Sequence, residues 1–206
     1  ALTRVNEVLL AHDPRPQVEA ELPAAGPSGC GLEVRDLTFK HSSADQAALS
    51  GLSLSLKPGE TVGVFGLTGS GKSTLLNVIS RVYDPPPGTV FVGGRDVLDV
   101  TPASLWRRLA YVTQRPYLFS ESIRANILLG DQSGGQSVDQ AVEDAALNSD
   151  LAAFPSGIDT VIGERGITLS GGQRQRVALA RAFHRSFDVL LLDDVLSAVD
   201  HATESR

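Results

Sequence analysis

The stretch Gly66-Leu67-Thr68-Gly69-Ser70-Gly71-Lys72-Ser73-Thr74 fits G-x-x-x-x-G-K-[ST], the spacing of a phosphate-binding loop. Glycines at 66, 69 and 71 let the backbone approach an anion closely and turn its N–H groups inward. A helix-like stretch from Gly71 to Arg81 aims the positive end of its dipole at the same spot. Lys72 would reach the outer phosphates and the Ser73 hydroxyl would hold Mg²⁺, with Thr68, Ser70 and Thr74 completing the loop. These residue types at this spacing predict a nucleoside triphosphate as ligand.

Far downstream, Phe187 to Leu192 is a nearly continuous apolar run ending in Asp193-Asp194. Asp193 would anchor the Mg²⁺ shell, usually through water, and Asp194 sits where a base could polarise the attacking water. Between the two lies Leu169-Ser170-Gly171-Gly172-Gln173-Arg174-Gln175-Arg176, in which Ser170 opens a helix with another set of bare backbone amides. One nucleotide does not need two such anion sites. The economical solution is a dimer in which each chain presents Ser170, Gly171, Gly172 and Gln173 to the nucleotide held by the other chain's phosphate loop.

The rest of the chain must position these groups. At 206 residues it holds one domain with a substantial core. A net charge of −6, with no stripe of Lys and Arg, gives no reason to expect nucleic acid. Cys30 stands alone and cannot form an internal disulfide, which predicts a reducing compartment. No run of eighteen apolar residues marks a membrane span, and no secretory signal is visible. Methionine is absent, so the chain is expected to begin inside a longer polypeptide.

Leu2, Val5 and Leu9 recur at helical intervals, and Pro14, Pro16, Pro23 and Pro27 then oppose helix, so residues 1–30 read as a helix end and linker ahead of a domain at 31–206. Leu32, Val34, Leu37 and Phe39 alternate with a one-residue slip near Asp36, and Leu52, Leu54 and Leu56 alternate cleanly, which predicts antiparallel strands. Thr61 to Phe65 is expected to enter the phosphate loop as a buried strand, and Thr89 to Val92 and Leu109 to Thr113 read as further strands. Helices are predicted from Thr101-Pro102 to about Arg108, over Glu121 to Leu129, over Ser137 to Ser149 and from Ser170 to about Ser186. Strands first, then strands alternating with helices, imply an α/β core with a parallel sheet and a helical insert.

With these motifs in order, the chain resembles the nucleotide-binding domain of ATP-binding cassette (ABC) transporters over about Gly31 to Arg206. The resemblance rests on Walker A (Gly66 to Thr74), a Q-loop glutamine at Gln114, the signature (Leu169 to Gln173), Walker B (Val189 to Asp193) and a D-loop at Ser197-Ala198-Val199-Asp200. It implies a P-loop, RecA-like core with an antiparallel β subdomain and an α-helical subdomain. It also implies ATP and Mg²⁺ as ligands, and Gln114, with Ser73 and Asp193, near the metal. Thr160 to Gly166 resembles the segment that meets the coupling helices in exporters, and residues 1–10 resemble the helix leading out of an exporter's membrane domain. The partners so implied are a transmembrane domain of the same polypeptide and a second nucleotide-binding domain, head to tail, at the cytoplasmic face of a membrane.

Two positions depart from the family's pattern. Asp194 stands where the family usually has a glutamate, and one methylene fewer withdraws the carboxylate by roughly 1.3 Å. Two readings follow: a heterodimer in which this site mainly holds ATP while the signature serves the partner's site, or a homodimer that hydrolyses with aspartate. His41 falls where the family usually has an aromatic ring that stacks on adenine; a planar imidazole stacks with less area. His12, His184 and His201 read as ordinary surface or helix residues, and the family's switch histidine is expected beyond the chain's end, with the rest of the domain. Low turnover is therefore expected of the 206-residue piece by itself. A regulatory ATP-binding module and a soluble ABC ATPase of chromosome or repair machinery are the competing classes; no Asn-Lys-x-Asp motif supports a GTPase.

Overall fold

The slip at Asp36 is a β-bulge. The computed structural model of the chain describes residues 18–23, 29–129, 135–163 and 167–195. In it β1 (Leu32–Phe39) pairs antiparallel with β2 (Leu49–Leu56), with Val34 opposite Leu54 but Leu37 opposite Leu52. Asp36 takes up the extra residue at φ 43°, and its N–H donates to the Ser53 hydroxyl at 2.9 Å. The bulge restores the inward direction of Leu37, which is fully buried. On its other edge β1 pairs with β3 (Val90–Val92), which carries β4 (Arg95–Asp96), so the four-stranded order is β2-β1-β3-β4.

Helix α1 (Lys72–Ile79) turns Leu75, Val78 and Ile79 into the cluster formed by this sheet with Val97, Val100 and Leu105. Thr101 caps α2 (Pro102–Arg108) by accepting from the Ser104 N–H. The segment before β1 docks on α2: Leu22 is buried, its N–H donates to the Ser104 hydroxyl, and the Ala20 carbonyl accepts from the Thr101 N–H.

The parallel part of the core consists, among the described residues, of β5 (Leu109–Val112) and β6 (Val189–Leu192), paired in register along their whole length. An Arg108–Asp188 ion pair ties their leading ends, and the Asp193 N–H donates to the Val112 carbonyl beyond their trailing ends. A helical unit follows: α3 (Ile123–Leu128), α4 (Val138–Asp144), α5 (Asn148–Ala153) and α6 (Gly171–His184). Val177 and Ala180 of α6 join Ile123, Ile127, Val142 and Leu147, while Ala178 and Ala182 pack with Ala110 and Val112 of β5. Small residues on that second face let helix and strand approach closely.

Two expectations are corrected. Residues 61–65 belong to no strand, and Val62, Val64 and Phe65 are exposed, Phe65 at 95 %. A five-residue apolar run cannot hold itself as a strand without a ladder partner, and none of the described strands pairs with it. The helix expected over Ser137 to Ser149 is broken in two: Ala146 turns to φ 52°, and the Leu147 N–H reaches back to the Val142 carbonyl, as in a Schellman closure. That turn drives Leu147 fully into the helical core. His184, expected as an ordinary surface or helix residue, is the last residue of α6 and is buried there, with Nδ1 2.8 Å from the Gln136 carbonyl.

Arg81 is a buried cation just after α1, at 1 % side-chain exposure. Its guanidinium donates to the carbonyls of Val97 and Val100 at 2.8 and 2.7 Å and to Asp84 at 2.9 Å. Removing it strands two buried carbonyls and opens a cavity under α1. Arg81→Ala is expected to cost about 3–5 kcal/mol in urea unfolding; a loss below about 1 kcal/mol would show that this clamp does not hold the turn.

Candidate nucleotide site

Two glycines of the phosphate loop use the left-handed backbone region. Gly69 and Gly71 have φ of 81° and 91°, and a Cβ at Gly71 would stand 2.6 Å from the Ala48 carbonyl oxygen, so no larger residue fits there. Gly71 caps α1, and residues 66–70 are exposed, Thr68 and Ser70 among them, with the Ser70 N–H closing a turn onto the Leu67 carbonyl. Lys72 folds its ammonium back onto the loop, donating to the carbonyls of Gly66 and Leu67 at 2.8 and 2.9 Å.

The decisive contact joins residues 120 positions apart: the Ser73 hydroxyl donates to Asp193 Oδ1 at 3.1 Å. α1 brings the first and β6 the second. Asp193 is 7 % exposed, so its carboxylate is held close to the hydroxyl rather than free in solvent. Two hard oxygens at this separation, open on the loop side, suit an octahedral cation that keeps water and phosphate oxygens as its other ligands. The donor set therefore fits Mg²⁺.

Gln114 follows β5 and Asp194 follows β6, and the register of the two strands sets them side by side. The Gln114 amide donates to Asp194 Oδ2 at 2.9 Å. Gln114, expected near the metal, thus has its amide bonded to the acid adjacent to Asp193. Asp194 has φ 52°, a conformation that short polar side chains adopt more readily than long ones. Beside them the Tyr111 hydroxyl donates to Asn77 Oδ1 at 3.1 Å, and burial, reinforced by the Asp193 carboxylate and by Tyr83, pushes its pKa up to about 12.

His41 sits edge-on to Phe39 and Tyr83, with centroids 5.1 and 5.0 Å away, and its Nε2 lies 3.4 Å from the Thr74 hydroxyl. The imidazole thus stands beside the phosphate-loop helix, inside an aromatic trio.

Ser170 caps α6 by a reciprocal box: its oxygen accepts from the Gln173 N–H at 3.2 Å, and its own N–H donates to Gln173 Oε1 at 2.9 Å. Ser170 and Gly171 are exposed at the tip, with Gly172 and Gln173 half-buried behind them. Among the described residues no hydrogen bond joins 170–173 to the phosphate loop of the same chain. The proposed D-loop residues 197–200 and residues 164–166 lie outside the described residues, as do residues 1–10, His12 and His201.

Sequence reasoning missed two residues. Asp150 of α5 accepts from Gln173 Nε2 at 3.1 Å and from Arg176 Nε at 2.6 Å, pinning the cap from behind. Nothing in the sequence pairs it with residues 23 and 26 positions away. Gln175 bonds the carbonyls of Thr113 and Gln114. Here a signal existed: 175, 178 and 182 share one helical face, and a glutamine on a face of buried alanines is out of pattern.

A family model described as "ABC transporter" matches residues 49–197. This chain belongs to the ABC transporter family. The ABC domain is 42% identical over 175 residues to an ATP-dependent lipid A-core flippase of Aromatoleum aromaticum, covering 84% of this chain and 29% of that protein. It is 41% identical over 182 residues to the multidrug resistance-like ATP-binding protein MdlA of Escherichia coli, covering 87% and 31%. Among solved structures, a bacterial Atm1-family ABC exporter with ATP bound superposes at a TM-score of 0.82 with 34% identity, over 99% of this chain and 36% of that one. The chain thus spans about three-tenths of the length of these curated relatives.

In this ABC domain the signature cap depends on the Asp150–Arg176 pair, in which both side chains are only 12% exposed. Asp150→Ala is expected to lose about 3–5 kcal/mol in thermal unfolding, because it leaves Arg176 buried without a counter-charge. Asp150→Asn keeps an acceptor for Gln173 and is expected to lose less; equal losses would show that the charge is not what matters.

Proposed function

We propose that this ABC domain is the ATP-binding and hydrolysing motor of an exporter, acting as one of a head-to-tail pair at the cytoplasmic face of a membrane. The observation that carries this reading is the Ser73–Asp193 contact, which assembles a metal-phosphate site from the two motifs. The length of the relatives, about three times that of this chain, supports a transmembrane part in the same polypeptide. Among the described residues no helix is long and apolar enough to cross a membrane.

The residues divide the work. The N–H groups of 66–72 and the dipole of α1 bind the phosphates, and Lys72 exchanges its two carbonyl partners for outer phosphate oxygens. Ser73 and Asp193 would hold Mg²⁺, which when bound would supply positive charge to the outer phosphates. Gln114 and Asp194 orient the attacking water and accept its proton; their mutual hydrogen bond fixes the carboxylate's direction. His41, backed by Phe39 and Tyr83, offers a planar group to adenine. The exposed Ser170 cap, unbonded to its own phosphate loop, is free to meet the γ-phosphate of a nucleotide on a second domain.

Asp194 favours a second reading, in which this site holds ATP in a regulatory role while the signature completes a faster site on a different partner chain. The shorter side chain withdraws the base from the water it must polarise.

Both readings are tested on the full-length protein reconstituted in vesicles. Lys72→Ala is expected to lower this site's MgATP hydrolysis by about 100-fold or more; undiminished turnover would remove the chain from the ATPases. Asp194→Glu is expected to raise hydrolysis by about 10-fold or more if the short base limits the rate. An unchanged rate would show that it does not.

A further inference from the structure

Gln175 lies five residues past the Ser170 cap and is 2% exposed. Its Nε2 donates to the Gln114 carbonyl at 2.7 Å and to the Thr113 carbonyl at 3.3 Å. Its Oε1 is buried with no hydrogen-bond partner among the described residues. Turning the amide over would press that oxygen against two carbonyl oxygens, so chemistry sets the orientation. A side chain needed only to fill space here would be apolar, as Ala178 and Ala182 are on the same face. A buried amide with an unmet acceptor costs more than that, and its bonded partners are the main chain that carries Gln114.

Gln114 in turn holds Asp194 through its own amide at 2.9 Å. A continuous set of contacts therefore runs from the tip of α6, through Gln175, to the main chain of Gln114 and on to the acid beside the metal ligand. We infer that Gln175 is a positioning residue: it ties the main chain of Gln114 to α6, so that the Gln114 amide meets Asp194 only when α6 is correctly placed. In the proposed head-to-tail pair the tip of α6 faces the second domain, so a displacement of α6 reaches the hydrolytic site of the same chain. The unmet Oε1 keeps this tie weak, since the two donated bonds are set against one stranded acceptor; loop and helix can part when α6 moves.

The inference rests on the ATPase reading, and the experiment separates the two. In the full-length protein in vesicles, Gln175→Leu removes both donated bonds and the stranded acceptor at similar volume. It is expected to lower kcat for ATP about 5- to 20-fold, to leave KM within about twofold, and to leave Tm unchanged or raised. Gln175→Glu, which sets an acceptor against two carbonyls, is expected to fall at least as far. Gln114→Ala keeps the carbonyl but loses the amide, and in that background Gln175→Leu is expected to cause no further loss. Hydrogen exchange should rise at residues 113–117 and stay unchanged in the second half of α6.

Losses that multiply in the double variant, a rate that simply follows a lowered Tm, or a kcat indifferent to Gln175 would each overturn the inference. Hydrolysis that needs Lys72 but not Gln175 overturns it alone. Full-length protein with no hydrolysis that depends on Lys72 overturns the ATPase reading and the inference together.

Discussion

A hydroxyl and a carboxylate 120 residues apart must stand 3.1 Å from one another, and much of this architecture serves that requirement. Ser73 is delivered by α1, whose opposite face is anchored in the main core by Leu75, Val78 and Ile79. Asp193 is delivered by β6, locked to β5 by a full parallel ladder, by the Arg108–Asp188 pair at one end and by the Asp193 N–H to Val112 bond at the other. Arg81 clamps the turn after α1 to the segment that leads into α2. The cation site proposed for these two oxygens would have little redundancy, so its rigidity would come from the scaffold rather than from extra ligands.

The parallel register has a second effect. Because Val112 faces Leu192, the residues that follow each strand emerge together, and Gln114 meets Asp194 without either having to reach. The Gln114–Asp194 pair, proposed above for hydrolysis, is thus a by-product of the same alignment that places Asp193. Its chemistry then turns on side-chain length, which the strand alignment does not control.

α6 has two faces and two tasks. Val177 and Ala180 bind it to the helical unit, while Ala178 and Ala182 seat it on β5. Its tip is stiffened by the capping box and by Asp150, which holds Gln173 and Arg176 together. Polar contacts at Gln175 and Arg181 attach it to the segment between β5 and α3 and to α3 itself, Arg181 donating to the carbonyls of Tyr117 and Asn126. Burial holds the Arg181 pKa below its usual value, yet no described carboxylate pairs with it; carbonyl oxygens solvate it instead. These contacts tie the position of α6 to that of the loop that carries Gln114.

The sequence by itself determined whatever depends on neighbours along the chain. The phosphate loop, the Ser170 cap, the Thr101-Pro102 helix start and the Asp36 bulge all follow from local rules: glycine's access to positive φ, short polar caps, and the two-residue period of strands. Tertiary structure alone decided what depends on which segments meet. Whether residues 61–65 form a strand turns on a partner edge, and the break at Ala146 turns on a pocket for Leu147. The partners of Asp150, Arg81 and Gln175 are carbonyls and charges whose positions exist only once helices and strands have packed. Covalent proximity carries the first kind of information and is silent on the second, because a long-range contact is chosen by packing against all the alternatives at once.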